Sequence, residues 1–169
     1  MCLKLTLVTI ATTICLAEQL QAQQAPKGSL KVTVSGIPLN SKTATIILFD
    51  NEQKMTLAMK SKMIQKNRKQ WKHYHSIYEA SAKTGSASAI IKGLPPGEYS
   101  IMTFCDQNGN NRMDTNFIGF PTEPIGMSGS AMSSKPTFPP KQKPSWKTTK
   151  FRIEPRENQL NLKVFKPGS

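Results

Sequence analysis

Apolar and polar residues alternate along several short runs of the chain, and turn residues separate the runs. In Ser29–Ile37, "SLKVTVSGI", Leu30, Val32 and Val34 alternate with polar neighbours, the period of a half-buried strand. "TATIILFD", Thr43–Asp50, reads as a second strand, with "PLNSK" as the turn of a hairpin between them. Another strand is predicted at Ser86–Gly93, "SASAIIKG". In "LPPGEYSIMTFCD" a Pro-Gly turn leads into a strand that marks Tyr99, Ile101 and Phe104 for burial. Two strands close the chain, Thr148–Glu154 with Phe151 and Ile153 in alternation and Asn158–Phe165 with Leu160, Leu162 and Val164, joined by "PREN". Short strands with tight turns, and no repeat or βαβ alternation, predict an all-β fold, an antiparallel β-sandwich.

Two stretches break the pattern. Residues 51–84 hold Met55, Met59 and Met63 at helical spacing, with Leu57 and Ile64 nearby, which predicts a short amphipathic helix in a helical or irregular insertion. The segment 106–147 is rich in Gly, Pro and Ser, and loops of that length are uncommon unless functional or disordered. The expected plan is a leader over 1–22, a linker over 23–28, one sandwich domain over 29–165 and a tail over 166–169.

The leader begins with the basic "MCLK", continues with the uncharged "LTLVTIATTICLA" and reaches "LQA" before Gln23, the order of an export signal with its cleavage site. Its apolar run is shorter than the about 20 residues that span a bilayer. Export to the periplasm or beyond follows as an expectation, with no membrane span in the mature chain. An uncleaved anchor and a lipid on Cys15 are the weaker alternatives; Thr13-Ile14 precede Cys15 where small residues are wanted. Removal of the leader takes Cys2 and Cys15 with it, so Cys105 stands alone and no internal disulfide is available.

The chain of 169 residues has formal net charge +13, from 23 Lys and Arg against 10 Asp and Glu. Much of the excess lies in the insertion, at Lys54, Lys60, Lys62, Lys66, Arg68, Lys69, Lys72 and Lys83. With Trp71, Tyr74 and Tyr78 beside the lysines, the 54–83 stretch fits an anionic membrane surface or an acidic polysaccharide. It equally fits a solvated helix covering a sheet edge. Nucleic acid suits the charge but not the export signal.

Against that basic background stands "CDQNGNNRMD", residues 105–114. With Asp106 as position one, Asn108, Asn110, Arg112 and Asp114 fall at three, five, seven and nine, where calcium loops place side-chain oxygens and, at seven, a backbone carbonyl. Glu123 adds a carboxylate if the chain folds back. The loop is not an EF-hand, because Asn111 stands where Gly is usual and Phe117 where a bidentate Glu is required. A Ca²⁺ ion held by Asp106, Asn108, Asn110, the Arg112 carbonyl, Asp114 and Glu123 is one expectation. A metal-free turn built from Asx hydrogen bonds is the other.

The stretch "GLPPGEYSIMTFCDQNGNNRMDTNFIGFPTEPIGMSGSA", and "PSWKTTKF" later, resemble the domain of unknown function 2141 family of exported bacterial proteins. The matching positions include Leu94, Pro96, Gly97, Tyr99, Asp106, Asn108, Asn110, Asp114, Gly119, Pro121, Glu123 and Gly126. The resemblance implies an immunoglobulin-like or transthyretin-like sandwich and an exported location, and supplies no reaction. This chain departs from the family in having Cys105 where a histidine often stands, Met127 where an aromatic is usual, and a longer basic insertion.

Other chemistry is thinly supported. His73 and His75 form an H-x-H pair that shares a face only on a strand, among lysines that repel cations. Cys105 sits beside Asp106, which blunts a thiolate. A triad needs His near Ser or Cys, and both histidines lie in the basic insertion. A binding or interaction module, its 106–114 loop ordered by Ca²⁺, is therefore the first reading. A metal-free protein docking on an anionic envelope surface is the second, and a metal-dependent hydrolase the third.

Overall fold

The computed structural model describes residues 26–41, 43–81, 85–129 and 143–166. The leader at 1–22 and most of the 130–147 stretch lie outside the described residues. Two β-sheets pack face to face. The first contains β1 (Gly28–Ser35), β4 (Ser86–Leu94) and β8 (Glu157–Lys163), in the order β4-β1-β8. The second contains β3 (Ser76–Ser81), β2 (Thr43–Phe49), β5 (Gly97–Phe104) and β6 (Ile125–Met127) in that order, with β7 (Phe151–Ile153) pairing the start of β5. The all-β sandwich with a short helical insertion is thus the fold.

The alternation of β1 sends Leu30, Val32 and Val34 to zero exposure, where they meet Ile46, Leu48, Ile91, Tyr99, Ile101 and Ile153 between the sheets. At the β5 turn the Tyr99 hydroxyl donates to the Pro95 carbonyl at 2.9 Å, the tyrosine corner of immunoglobulin-like sandwiches. Burial, and after it the charge of Asp50, push the Tyr99 phenol above its usual pKa.

β2 and β5 are buried on both faces. The uninterrupted "IILF" of β2 is the signature of a strand covered twice. Its outward side chains Ile47 and Phe49, with Met102 and Phe104 of β5, form a second core under the insertion. There α1 (Glu52–Lys60) is capped by Asn51, whose side chain accepts from the Lys54 amide at 2.8 Å. It buries Met55 and Ala58, while Met63 enters the same core from a 3-10 turn beyond the helix end. Met59, expected on the buried stripe, is 39% exposed.

Four features depart from the pattern-based reading. β1 and β2 do not form the expected hairpin: β1 pairs β4 and β8 in the first sheet, while β2 pairs β3 and β5 in the second, so the turn between them crosses from one sheet to the other. The stretch after Trp71 becomes β3, antiparallel to β2, rather than more insertion. The long irregular segment contributes β6 and the short α2 (Trp146–Thr149). The last two strands do not pair with each other: β7 joins the second sheet and β8 lies parallel to β1 in the first, the one parallel pair among the described strands. The crossing between them is held by Asn158, whose Nδ2 donates to the carbonyls of Ser29, Glu154 and Arg156. A Cβ on Gly28 would stand 2.2 Å from the Glu154 carbonyl oxygen, so the crossing requires glycine there.

Candidate functional site

β5 delivers the chain to the acidic loop at one end of the sandwich, and the loop closes on its own donors. Asp106 Oδ1 accepts from the amides of Gly109 at 2.7 Å and Asn110 at 3.2 Å, and Oδ2 from Asn111 at 2.7 Å. Asn108 and Asn110 each accept from an amide two residues on, at 3.1 and 3.0 Å. These are Asx turns, and Gly109 and Asn111 take the positive φ values the curve demands.

Glu123 folds back, as its position allowed. It is 4% exposed, and its two oxygens accept from the amides of Gln107 at 2.8 Å and Asp114 at 3.0 Å, tying the two ends of the loop. Burial raises its pKa above the usual glutamate value. The two amides pull it down, but the charges of Asp106 and Asp114 add to the rise. Asp114 receives the Asn108 carboxamide at 2.6 Å, that of Asn110 at 2.9 and 3.0 Å, and Arg112 Nε at 3.3 Å. Burial raises the Asp114 pKa, but those three partners outweigh it and hold the carboxyl below its ordinary value.

The residues expected to hold calcium are therefore brought together in part. Asn108, Asn110 and Asp114 converge. Asp106 and Glu123 are turned to backbone N–H groups, and Arg112 offers its guanidinium to Asp114. No group of three or more His, Cys, Asp and Glu is gathered for a metal among the described residues. A cation beside Asp114 requires both carboxamides to turn, oxygen for nitrogen, and Arg112 to withdraw. As arranged, the donor set is that of a hydrogen-bonded turn.

The loop has a mechanical task that the sequence did not announce. Met113 is 4% exposed and joins the second core beside Met63 and Trp71. Its amide donates to the Ile64 carbonyl at 2.6 Å, and the Arg68 amide donates to the Asn111 carbonyl at 3.0 Å. The acidic loop is thus the strip to which the basic insertion is fastened. Within the insertion, Trp71 Nε1 donates to the Lys66 carbonyl at 2.8 Å, and Arg68 reaches Glu79 and, at 3.3 Å, the Thr45 hydroxyl. Lys60, Lys62, Lys66, Lys69 and Lys72 are left exposed, without an acidic partner among the described residues.

The histidine pair is divided. His73 sits at φ 62° in an exposed turn, whereas His75 Nδ1 lies 3.2 Å from Asp50 Oδ2, which also receives Lys54 Nζ at 2.9 Å. Burial raises the Asp50 pKa, but Lys54 and His75 outweigh it and leave the carboxyl below its ordinary value. Cys105 has zero exposure, and burial followed by the Glu123 charge pushes its thiol up to about 12. An open pocket lies near the start of β5, lined by Pro96, Arg152, Glu154 and Arg156, away from the acidic loop.

One feature of this end was missed from sequence. Beyond Asp114 the chain makes a tight excursion closed by a Thr115–Pro121 bridge and by the Thr122 amide on the Asp114 carbonyl at 2.9 Å. Asn116 Oδ1 accepts from the amides of Ile118 at 3.2 Å and Phe120 at 2.9 Å, and Gly119 turns at φ 81°. Phe117 at 99% exposure and Ile118 at 52% form its tip. The available signal was an apolar pair inside an Asn/Gly turn, "NFIG", where polar residues are the rule.

A family model described as an uncharacterized protein conserved in bacteria, DUF2141, matches residues 32–161. No curated protein matches the sequence. Among solved structures the chain is similar to a pilus-presented adhesin, Spy0125 (Cpa), at 15% identity and a TM-score of 0.26. That match covers 84% of this chain, which spans 28% of the adhesin's chain.

Proposed function

The chain belongs to the DUF2141 family, and from that premise we propose that it is an exported, non-catalytic β-sandwich module that docks on an anionic surface of the cell envelope through the insertion at 60–72. The observation that carries this reading is the set of five exposed lysines, without an acidic partner among the described residues, on a segment fixed to the sheet by Trp71, Met63 and the acidic loop. Rigid support matters, because lysines carried on a fixed backbone leave less conformational freedom to be lost at a charged surface than lysines on a loose segment. The leader sequence supports export, and among the described residues no helix is long and apolar enough to cross a membrane.

Reversing Lys62, Lys66 and Lys69 to Glu tests the reading. Arg68 is left alone, because its pairing with Glu79 is structural. With roughly 1 kcal/mol per lysine near an anionic surface, binding to phosphatidylglycerol vesicles falls at least about a hundredfold, and wild-type binding weakens with salt. Equal binding by the triple variant refutes the proposal.

The convergence of Asn108 and Asn110 on Asp114 favours one second reading, a calcium-ordered form of the same loop after the carboxamides turn. The first reading expects no saturable thermal shift with Ca²⁺. A saturable shift that disappears in Asp114→Ala assigns the loop to calcium instead.

A further inference from the structure

The apolar pair at the 115–121 tip, Phe117 and Ile118, is the remaining feature at this end that the fold leaves exposed. Phe117 and Ile118 are held outward by a turn whose amides are already satisfied by Asn116, so their exposure is built in rather than a frayed end. Leu39, 88% exposed on the β1–β2 turn, belongs to the same end: Gln107 of the acidic loop donates from Nε2 to Asn40 Oδ1 at 3.0 Å. The tip rises from Asp114, one residue beyond the Met113 amide that holds Ile64 of the insertion. A fixed apolar point is therefore joined, through Met113, to the segment that carries the lysines without an acidic partner among the described residues.

We propose that the 115–121 tip inserts Phe117 and Ile118 into the acyl boundary of an anionic lipid membrane while Lys62, Lys66 and Lys69 rest on its headgroups. This rests on the anionic-surface reading above and narrows it. A polysaccharide offers the lysines charge but gives Phe117 no apolar phase to enter, whereas a bilayer offers both within the 5–10 Å or so that interfacial segments penetrate. Headgroup attraction and apolar burial then add, as in other two-signal membrane anchors.

The test uses the exported protein as recovered from cells, with phosphatidylglycerol-containing vesicles, phosphatidylcholine vesicles and an acidic polysaccharide as probes. Phe117→Ser with Ile118→Ser is expected to weaken binding to the anionic vesicles by about tenfold or more, from apolar area no longer buried. It leaves polysaccharide binding and the melting temperature unchanged. F117W reports location directly, its added emission shifting to the blue on vesicles and being quenched by brominated lipid. Wild-type vesicle binding by the double variant, or an added emission that stays water-like, overturns insertion. If charge reversal at Lys62, Lys66 and Lys69 still abolishes binding in that case, the anionic-surface reading survives alone. A change of oligomeric state in the double variant with vesicle binding intact also overturns insertion, by making the tip a contact between copies.

Discussion

Glu123→Ala removes the clasp of the acidic loop and should release the insertion with it. Two backbone amides, on Gln107 and Asp114, lose their acceptor. An unsatisfied N–H costs about 1–3 kcal/mol according to its burial. Both residues are only partly buried, so water replaces part of the loss and the lower end applies, about 2 kcal/mol for the pair. The raised pKa of Glu123 argues the same way: ionised Glu123 is held at a cost from burial and from Asp106 and Asp114, and that cost disappears with it. At about 4 °C per kcal/mol for a domain of this size, the melting temperature falls by about 8 °C. Glu123→Gln keeps one acceptor and should fall by about half as much. A local readout separates this from general weakening. Because the loop fastens Ile64 and Arg68, the variant should expose the lysines of 60–72 to trypsin faster than global unfolding does. Unchanged melting and unchanged cleavage would refute the clasp.

The buried Cys105, with its thiol at about 12, should react with a disulfide reagent at neutral pH only on unfolding, so native and urea-unfolded rates should differ by orders of magnitude; a fast native reaction contradicts the burial. The lowered pKa of Asp114 means that its stabilisation is complete above the ordinary aspartate range and is lost as pH falls through its folded value. Asp114→Asn should therefore be less stable than wild type at neutral pH, with the gap closing on acidification; a gap independent of pH rejects the assignment. Glu123 has the opposite sign. Its contribution is present below the ordinary glutamate range and is lost as pH rises, so the melting gap between wild type and Glu123→Gln should change with pH in the reverse direction.

The period-two runs made β1, β4 and the sandwich legible, because one face of each strand is buried and the other is not; β5, covered on both faces, was marked instead by the Pro-Gly turn that leads into it. The fourfold apolar run of β2 hinted that the sheet is covered on its outer side as well. β3 escaped notice because "SIYEAS" sits in a lysine-rich context and alternates weakly; its burial comes from β2, a partner remote in sequence. The parallel placing of β8 is set by Asn158 bridging to Ser29, a contact that no local pattern encodes. At the site, the oxygen-rich spacing of Asp106, Asn108, Asn110 and Asp114 marked the right loop. Whether such oxygens face an ion or their own amides depends on side-chain rotation, which spacing does not contain. Met113, apolar amid polar neighbours, was the residue that revealed the loop's structural task, and it became informative only once Ile64 was seen opposite it.

Hydrogen exchange of the protein, with and without phosphatidylglycerol vesicles, tests the proposed docking surface most directly. Slowed exchange confined to 60–72 and 115–121 is the predicted footprint. Protection confined to the first sheet, around β4 and β8, or no protection at vesicle concentrations that sediment the protein, would contradict it.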